Sequence, residues 1–211
     1  MTDLEAQYIL KHSSSEPEYL SALYRSTYLT RLYPHMCCEP LQGRLIAMLT
    51  SMIKPMRILE LGSFSGYSTL CFAEAMPEGA EIHTIEIDDE AEPALKETFL
   101  QSPRSKDIHL HIGDALGLIA PLSTSPWDLV YIDANKRSYS DYYQLVKPHV
   151  KTGGYIFADN TLWSDYVLDH EKKDAQTLGI RRFNDIVAAD KDVEVVILPL
   201  YDGLTLIRKI R

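Results

Sequence analysis

The sequence predicts an α/β domain: a mostly parallel sheet with helices on both faces and an antiparallel end. Three observations carry this expectation. From Arg57 onward, short runs rich in Ile, Val, Leu and Tyr alternate with helical stretches. Those runs are near-continuously apolar, as strands buried on both faces must be. The last two runs are separated only by Pro199 to Gly203, too short for a helical crossover, so they must pair antiparallel.

Two helices are expected to open the chain, over 4–13 and 17–31. Pro17 suits a first helical turn behind a Ser15 cap. Tyr19, Leu20, Leu23, Tyr24 and Tyr28 then recur at helical spacing. A loop with Pro34 leads to a third helix over 39–53, with an apolar stripe of Leu41, Leu45, Ile46, Met48 and Leu49, ended by Lys54-Pro55. Strands are expected at 57–61, 81–87, 108–112, 128–132 and 155–158, with helices at 65–75, 91–100, 115–119 and 140–150 between them. A helix at 175–188 precedes the closing strands, 193–198 and 204–208. Residues 1–211 read as one domain, 1–55 supplying N-terminal helices and 56–211 the core.

Composition fits this. Of 211 residues, 45% are hydrophobic and 24% charged, the proportions of a globular protein. No run approaches the roughly 20 apolar residues of a membrane span. The start, with Asp3 and Glu5, lacks a signal-peptide pattern, so a cytoplasmic protein is expected. Cys37, Cys38 and Cys71 lack zinc spacing and are expected as reduced, buried thiols. The net charge of −9 leaves no basic stripe, which argues against nucleic acid as a partner.

The first strand runs into Glu60-Leu61-Gly62-Ser63-Phe64-Ser65-Gly66-Tyr67-Ser68. Strand, glycine turn and helix start form the nucleotide-accepting corner of a doubly wound sheet. The spacing is G-x-x-x-G, not the G-x-G-x-x-G that approaches a pyrophosphate. Glu60 would repel a pyrophosphate but suits a cation, which favours the ammonium or sulfonium of S-adenosylmethionine over NAD. Gly62 lets a ligand lie against the backbone, and Gly66 lets the helix start close by. About 20 residues on, Glu86 is placed to accept from both ribose hydroxyls, with Asp88 the solvated alternative. Asp114, opening the next helix, either accepts from an adenine amino group or is a plain N-cap.

Two strand ends carry the chemistry. The fourth strand leads into Asp133-Ala134-Asn135-Lys136 and the fifth into Asp159-Asn160-Thr161-Leu162-Trp163. Ligands of open parallel sheets bind beyond the carboxyl ends of strands, so both segments share a crevice. Asp133, Asp159 and Asn160 offer three oxygens, a set for a hard cation: magnesium, or calcium or manganese. Each Asp could also simply cap the next stretch of chain. Lys136, with a free pKa near ~10.4, serves as a base only where a cation or burial lowers that value. His109 and His111 share a strand face; without a third ligand nearby in sequence they read as ordinary strand histidines.

Together, ELGSFSGYS, YIDANK, ADNTLW and the closing LPLYDGLTLIRKI resemble the cation-dependent O-methyltransferases, the family of catechol and caffeoyl-CoA O-methyltransferases. The likeness spans about Met36 to the C-terminus and is nearest the caffeoyl-CoA and bacterial branch. It implies a Rossmann-like S-adenosylmethionine-dependent methyltransferase fold with a seven-stranded sheet, a homodimer, and a small aromatic hydroxyl substrate. By this resemblance Asp133, Asp159 and Asn160 match the metal ligands and Lys136 the catalytic lysine. Glu60, Gly62, Phe64, Ser68, Glu86, Asp114 and Asp133 match cofactor contacts, and Met36 falls where the family has a methionine near the transferring methyl. The family's plant members have Asp where this chain has Asn135. The N-terminal helices and the loop after Trp163, with Tyr166, Asp169 and His170, would form a lid. Arg25, Arg31 and Arg44 are candidates for recognising a CoA ester. A hydroxylated tRNA base and a non-catalytic cofactor-binding role are the competing functions.

Overall fold

The computed structural model describes residues 3–211, so Met1 and Thr2 of the expected N-terminal segment lie outside the described residues. Those residues form helices α1 (Asp3–Lys11), α2 (Glu18–Thr30), α3 (Pro40–Ile53), α4 (Tyr67–Ala75), α5 (Glu92–Leu100), α6 (Ala115–Leu122), α7 (Tyr139–Val146) and α8 (Ala175–Ala189). The strands are β1 (Arg57–Leu61), β2 (Glu81–Glu86), β3 (Ile108–Ile112), β4 (Trp127–Ile132), β5 (Val150–Asp159), β6 (Val193–Leu198) and β7 (Leu204–Lys209). They make one seven-stranded sheet in the order β3-β2-β1-β4-β5-β7-β6. The β1–β5 pairings are parallel, and β7 runs antiparallel to both neighbours, as expected from the short link before it.

The apolar strands feed two cores, one on each face. In β1, Ile58 packs with Tyr67, Phe72, Leu95 and Phe99 of α4 and α5. Its neighbours Leu59 and Leu61 turn the other way, towards Ile119, Tyr143, Ile180 and Phe183 of α6, α7 and α8. A strand buried on both faces needs this unbroken apolar run, and a parallel sheet covered by helices is the structure that uses it.

Most element ends fall within three residues of the sequence expectation, and four differences bear on how the elements start and stop. Pro17 itself is the α2 cap residue, with φ −57° and ψ 148°, so Ser15 caps nothing and the helix starts at Glu18. Helix α4 starts at Tyr67 because Gly66, at φ 83°, still belongs to the turn. Helix α7 stops at Val146, since Pro148 lacks the N–H that a further turn needs and the chain tightens into a 3₁₀ turn, Lys147–His149. Strand β5 begins at Val150 and runs ten residues, well before the expected start at Tyr155.

Strand order reverses between β1 and β4, where the segments leaving the strands turn to opposite faces. That switch point opens a crevice beyond the strands' carboxyl ends.

Candidate active site

The carboxyl ends of four strands are laced together by backbone. Gly62 N–H donates to Ile85 O at 2.9 Å, Gly113 N–H to Glu86 O at 2.8 Å, and Asp133 N–H to Leu61 O at 2.9 Å. Gly62 sits at φ 97°, and a Cβ there would lie 2.1 Å from the Asp133 carbonyl oxygen. Only glycine fits this crossing of β1 and β4.

Beneath the turn Glu60 is fully buried. It accepts hydrogen bonds from Ser68 Oγ at 2.7 Å, Thr84 Oγ1 at 2.5 Å, and the Thr69 hydroxyl. Burial pushes its carboxyl up to about 7, against the pull of those hydroxyls. Glu60 therefore locks the first turn of α4 to β1 and β2, and it does not line the large cavity over the turn.

Glu86 is the main brace of the turn. Its Oε2 accepts from Phe64 N–H at 2.7 Å and Ser63 N–H at 3.2 Å; its Oε1 accepts from Ile87 N–H at 2.9 Å and Asp88 N–H at 3.0 Å. A carboxylate offers about four lone-pair sites, so a ribose would share oxygens already in use. Glu86 lines the cavity, whereas Asp88 caps the 3₁₀ turn after it. Asp114 is the N-cap of α6, accepting from Leu116 N–H at 3.0 Å, and its position also lines the cavity.

Lys136 is buried, at 9% exposure, in the short turn after β4. Its Nζ donates to Asp133 Oδ1 at 2.6 Å and to the Tyr139 hydroxyl at 2.7 Å. That hydroxyl in turn donates to the carbonyls of Asp159 at 2.9 Å and Ile132 at 3.2 Å. An ammonium has three N–H groups, so one remains for the cavity that Lys136 lines. Asn135 caps this turn, its Oδ1 accepting from Arg137 N–H at 3.2 Å. Asp would cap equally well, so a neutral residue keeps the turn while removing a negative charge.

Asp133 and Asn160 line the cavity, but Asp159 lies just below it, 4% exposed. Asp159 accepts from Tyr131 OH at 3.1 Å and from Asn160 N–H at 2.8 Å. Gln42 Nε2 donates to the same Tyr131 oxygen at 3.4 Å. Burial, and then the charge of Asp133, push the Asp159 carboxyl upward. Tyr131, Tyr139 and Gln42 thus hold the site and were missed as site residues. Tyr139 stands one 3₁₀ turn beyond Lys136, which was its only sequence signal.

The cavity has a volume of about 660 Å³. Met36, Gly62, Phe64, Glu86, Asp114, Asp133, Lys136 and Asn160 all line it, while Ser68 borders a narrow cleft beside Met36 and Phe64. Glu86, Asp114, Asp133 and Asp202 face Lys136 as the one lining Lys or Arg. His35, Trp163, Ser164 and Gln176 add aromatic and polar groups to the lining. The loop after Trp163 is pinned: Arg181 donates to Val167 O at 3.0 Å, Lys172 O at 2.8 Å and Tyr166 O at 2.7 Å, and also to Asp169 O. Arg44 pairs with Glu74, and neither it, Arg25 nor Arg31 lines the cavity.

Residues 10–210 match the family model described as O-methyltransferase. A catechol O-methyltransferase of Niastella koreensis is 29% identical over 82% of this chain and 82% of its own. A caffeoyl-CoA O-methyltransferase of Stellaria longipes is 29% identical, covering 97% of this chain and 89% of its own. The O-methyltransferase TomG of Streptomyces achromogenes, solved in complex with S-adenosylmethionine and involved in tomaymycin synthesis, superposes with a TM-score of 0.91 at 27% identity, over 100% of each chain. With its sheet order, its glycine turn and the match across nearly its whole length, the chain belongs to the O-methyltransferase family and is an S-adenosylmethionine-dependent O-methyltransferase of the catechol and caffeoyl-CoA type.

Proposed function

We propose that the chain methylates one hydroxyl of a small catechol-like or phenolic acceptor, with a divalent cation, magnesium by preference, held by Asp133, Asp159 and Asn160. The observation that carries this is Lys136: a buried amine, fixed by Asp133 and Tyr139, opening on an acidic cavity. Three oxygen donors and no nitrogen or sulfur suit a hard cation. Asp133 and Asp159 repel one another across a site where Lys136 is the nearby countercharge, a deficit that a divalent ion would neutralise. Such an ion supplies Lewis acidity, lowering the pKa of a hydroxyl it touches.

This chain's residues do the rest. Gly62, Phe64, Glu86 and Asp114 shape the wall that takes the cofactor, with Glu60 acting through Ser68. Met36 stands beside the path of methyl transfer. Lys136 takes the acceptor's proton at Nζ, and Asp133 and Tyr139 keep that atom in place. Attack of the phenolate oxygen on the sulfonium methyl forms a C–O bond as the C–S bond breaks, and the opposite charges cancel. A dry, pre-organised site therefore favours the step. Both reactants held in line supply much of the remainder.

The lining charge disfavours the tRNA reading, because four carboxylates against one lysine repel a phosphate backbone. It weighs equally against a CoA ester's phosphates. Among the described residues no helix is long and apolar enough to cross a membrane. A homodimer is what the family likeness implies, and the cytoplasm is the setting the sequence leads us to expect. The test is S-adenosylhomocysteine release against catechols, caffeoyl-CoA and bulk tRNA, with magnesium and with EDTA. Catechol turnover abolished by EDTA is expected. Full activity in EDTA would refute the cation, and silence on every acceptor would favour a non-catalytic role.

A further inference from the structure

A second group of metal-ligating side chains lies at the opposite end of the sheet, near the amino ends of β2 and β3. Period-two alternation places Glu81 and His83 on one face of β2, and His109 and His111 on one face of β3. The parallel ladder sets His83 beside His109, so the four side chains share that face. From His83 to Glu86 is three residues of strand, roughly 10 Å, which separates this cluster from the cofactor wall.

Inside the cluster, His83 Nε2 stands 3.3 Å from Glu81 Oε1, and His109 Nε2 3.7 Å from Glu81 Oε2. One ligand atom from each of the three lies within 4.8 Å of the others. Ligands bound tetrahedrally to zinc at ~2.05 Å stand roughly 3.4 Å apart, so side-chain adjustments of about an ångström close the set. His83 also presents an unsatisfied polar atom. Its Nδ1 is 3.0 Å from His111 Nε2, but its Nε2 is sealed from solvent without a hydrogen bond. Either histidine of the pair can donate to the other, and in both cases His83 Nε2 lies beside the Glu81 carboxylate without a well-formed hydrogen bond, where a cation could sit between the two. An imidazole donating its other ring N–H to a neighbour is how metal-bound histidines are oriented, and ligating carboxylates are held likewise. Arg57 Nε does this for Glu81, at 2.8 Å from Oε1.

We propose that Glu81, His83 and His109 form a site for a zinc-class divalent ion, with His111 a positioning residue that orients His83. Two nitrogens and one carboxylate select zinc, nickel or copper over magnesium, so this site differs in chemistry from the all-oxygen set in the cavity. The His109 side chain is 42% exposed, which gives the ion a path in and leaves room for a water ligand. The ion would clip edge strand β3 to β2. Arg57 shares the carboxylate and would compete with the ion for it, which weakens the site.

The test is calorimetric titration of the chelator-stripped full chain with zinc in excess magnesium, for the wild type, His109→Gln, His83→Gln and Asp159→Asn. The expected result is one zinc site in the wild type, weakened at least about tenfold by His109→Gln and kept in Asp159→Asn. Copper(II) bound in place of zinc should show imidazole nitrogen couplings that His109→Gln reduces. No zinc binding, wild-type affinity in His109→Gln, or loss of the site in Asp159→Asn would each overturn the proposal. His109 is half-exposed, so its variant keeps the test sound even where His83→Gln fails to fold.

Discussion

Gly62→Ala is the sharpest probe of how the fold builds the site. The new Cβ would lie 2.1 Å from the Asp133 carbonyl oxygen, where unbonded heavy atoms need about 3.5 Å. The ends of β1 and β4 must then part by roughly 1.4 Å. Forcing an alanine to φ 97° adds strain of about 1–3 kcal/mol. Overpacking adds about 1–3 kcal/mol more. Against a domain stability of about 5–15 kcal/mol, the sum of roughly 2–6 kcal/mol is large. It corresponds to a fall in Tm of about 5–20 °C for a chain of this size. Asp133 carries both the displaced carbonyl and the carboxylate that holds Lys136, so the Lys136 amine moves too. A shift near 1 Å costs turnover on the order of 10²-fold. Thermal melts and S-adenosylhomocysteine release measure the two effects. Gly117→Ala is the control: nothing lies within 4 Å of its Cβ, and this helical alanine should stabilise by about 0.5–1 kcal/mol. If Gly62→Ala melts and turns over like wild type, the crossing of β1 and β4 does not constrain the site.

Lys136→Met keeps the stem but removes the amine; turnover should fall about 10²–10⁴-fold with S-adenosylmethionine affinity nearly unchanged, and unaltered kcat would remove Lys136 from the base role. Glu60 makes a pH prediction. Its folded pKa of about 7 lies above the unfolded value near ~4.3, so the folded state binds the proton more tightly between those values. Stability from this group is therefore fully present below the unfolded value and is lost as pH rises to the folded one, on the order of 3 kcal/mol in all. Melts of Glu60→Gln between pH 4 and pH 8 should lack that decline; parallel curves for variant and wild type would count against it. Arg181→Ala removes the donor to four loop carbonyls, and amide exchange in residues 166–172 should quicken while the core is unaffected. Equal exchange in both proteins would show the loop is held by something else.

Legibility in the sequence tracked the range of the interaction. The parallel core could be read because β1 and β4 are buried on both faces, and such strands are apolar along most of their length. Boundaries at Pro17, Gly66 and Pro148 shifted because each residue acts on its own turn, an effect of one to four positions. The glycine turn and the DANK and ADN segments could be read because each is continuous in sequence. Their supports could not. Tyr131 reaches Asp159 across 28 positions, and Gln42 reaches Tyr131 across 89, so nothing local announces either pairing. The histidines show the same effect: His109 and His111 lack a third ligand nearby in sequence, and strand register supplies His83 from 26 positions away.

Charge then decides what the cavity accepts. Glu86, Asp114, Asp133 and Asp202 stand around it against the single ammonium of Lys136, while burial pushes the carboxyls of Glu60 and Asp159 beneath it upward. In a low-dielectric pocket such an excess is costly unless a cation enters. A sulfonium on the glycine-turn side and a divalent ion on the Asp133 side would relieve it at two points. The same excess would repel phosphates, and the acceptor proposed above is a neutral one that would gain negative charge only when its proton moves to Lys136. On that proposal the site would match a charge that exists during the reaction and not before it.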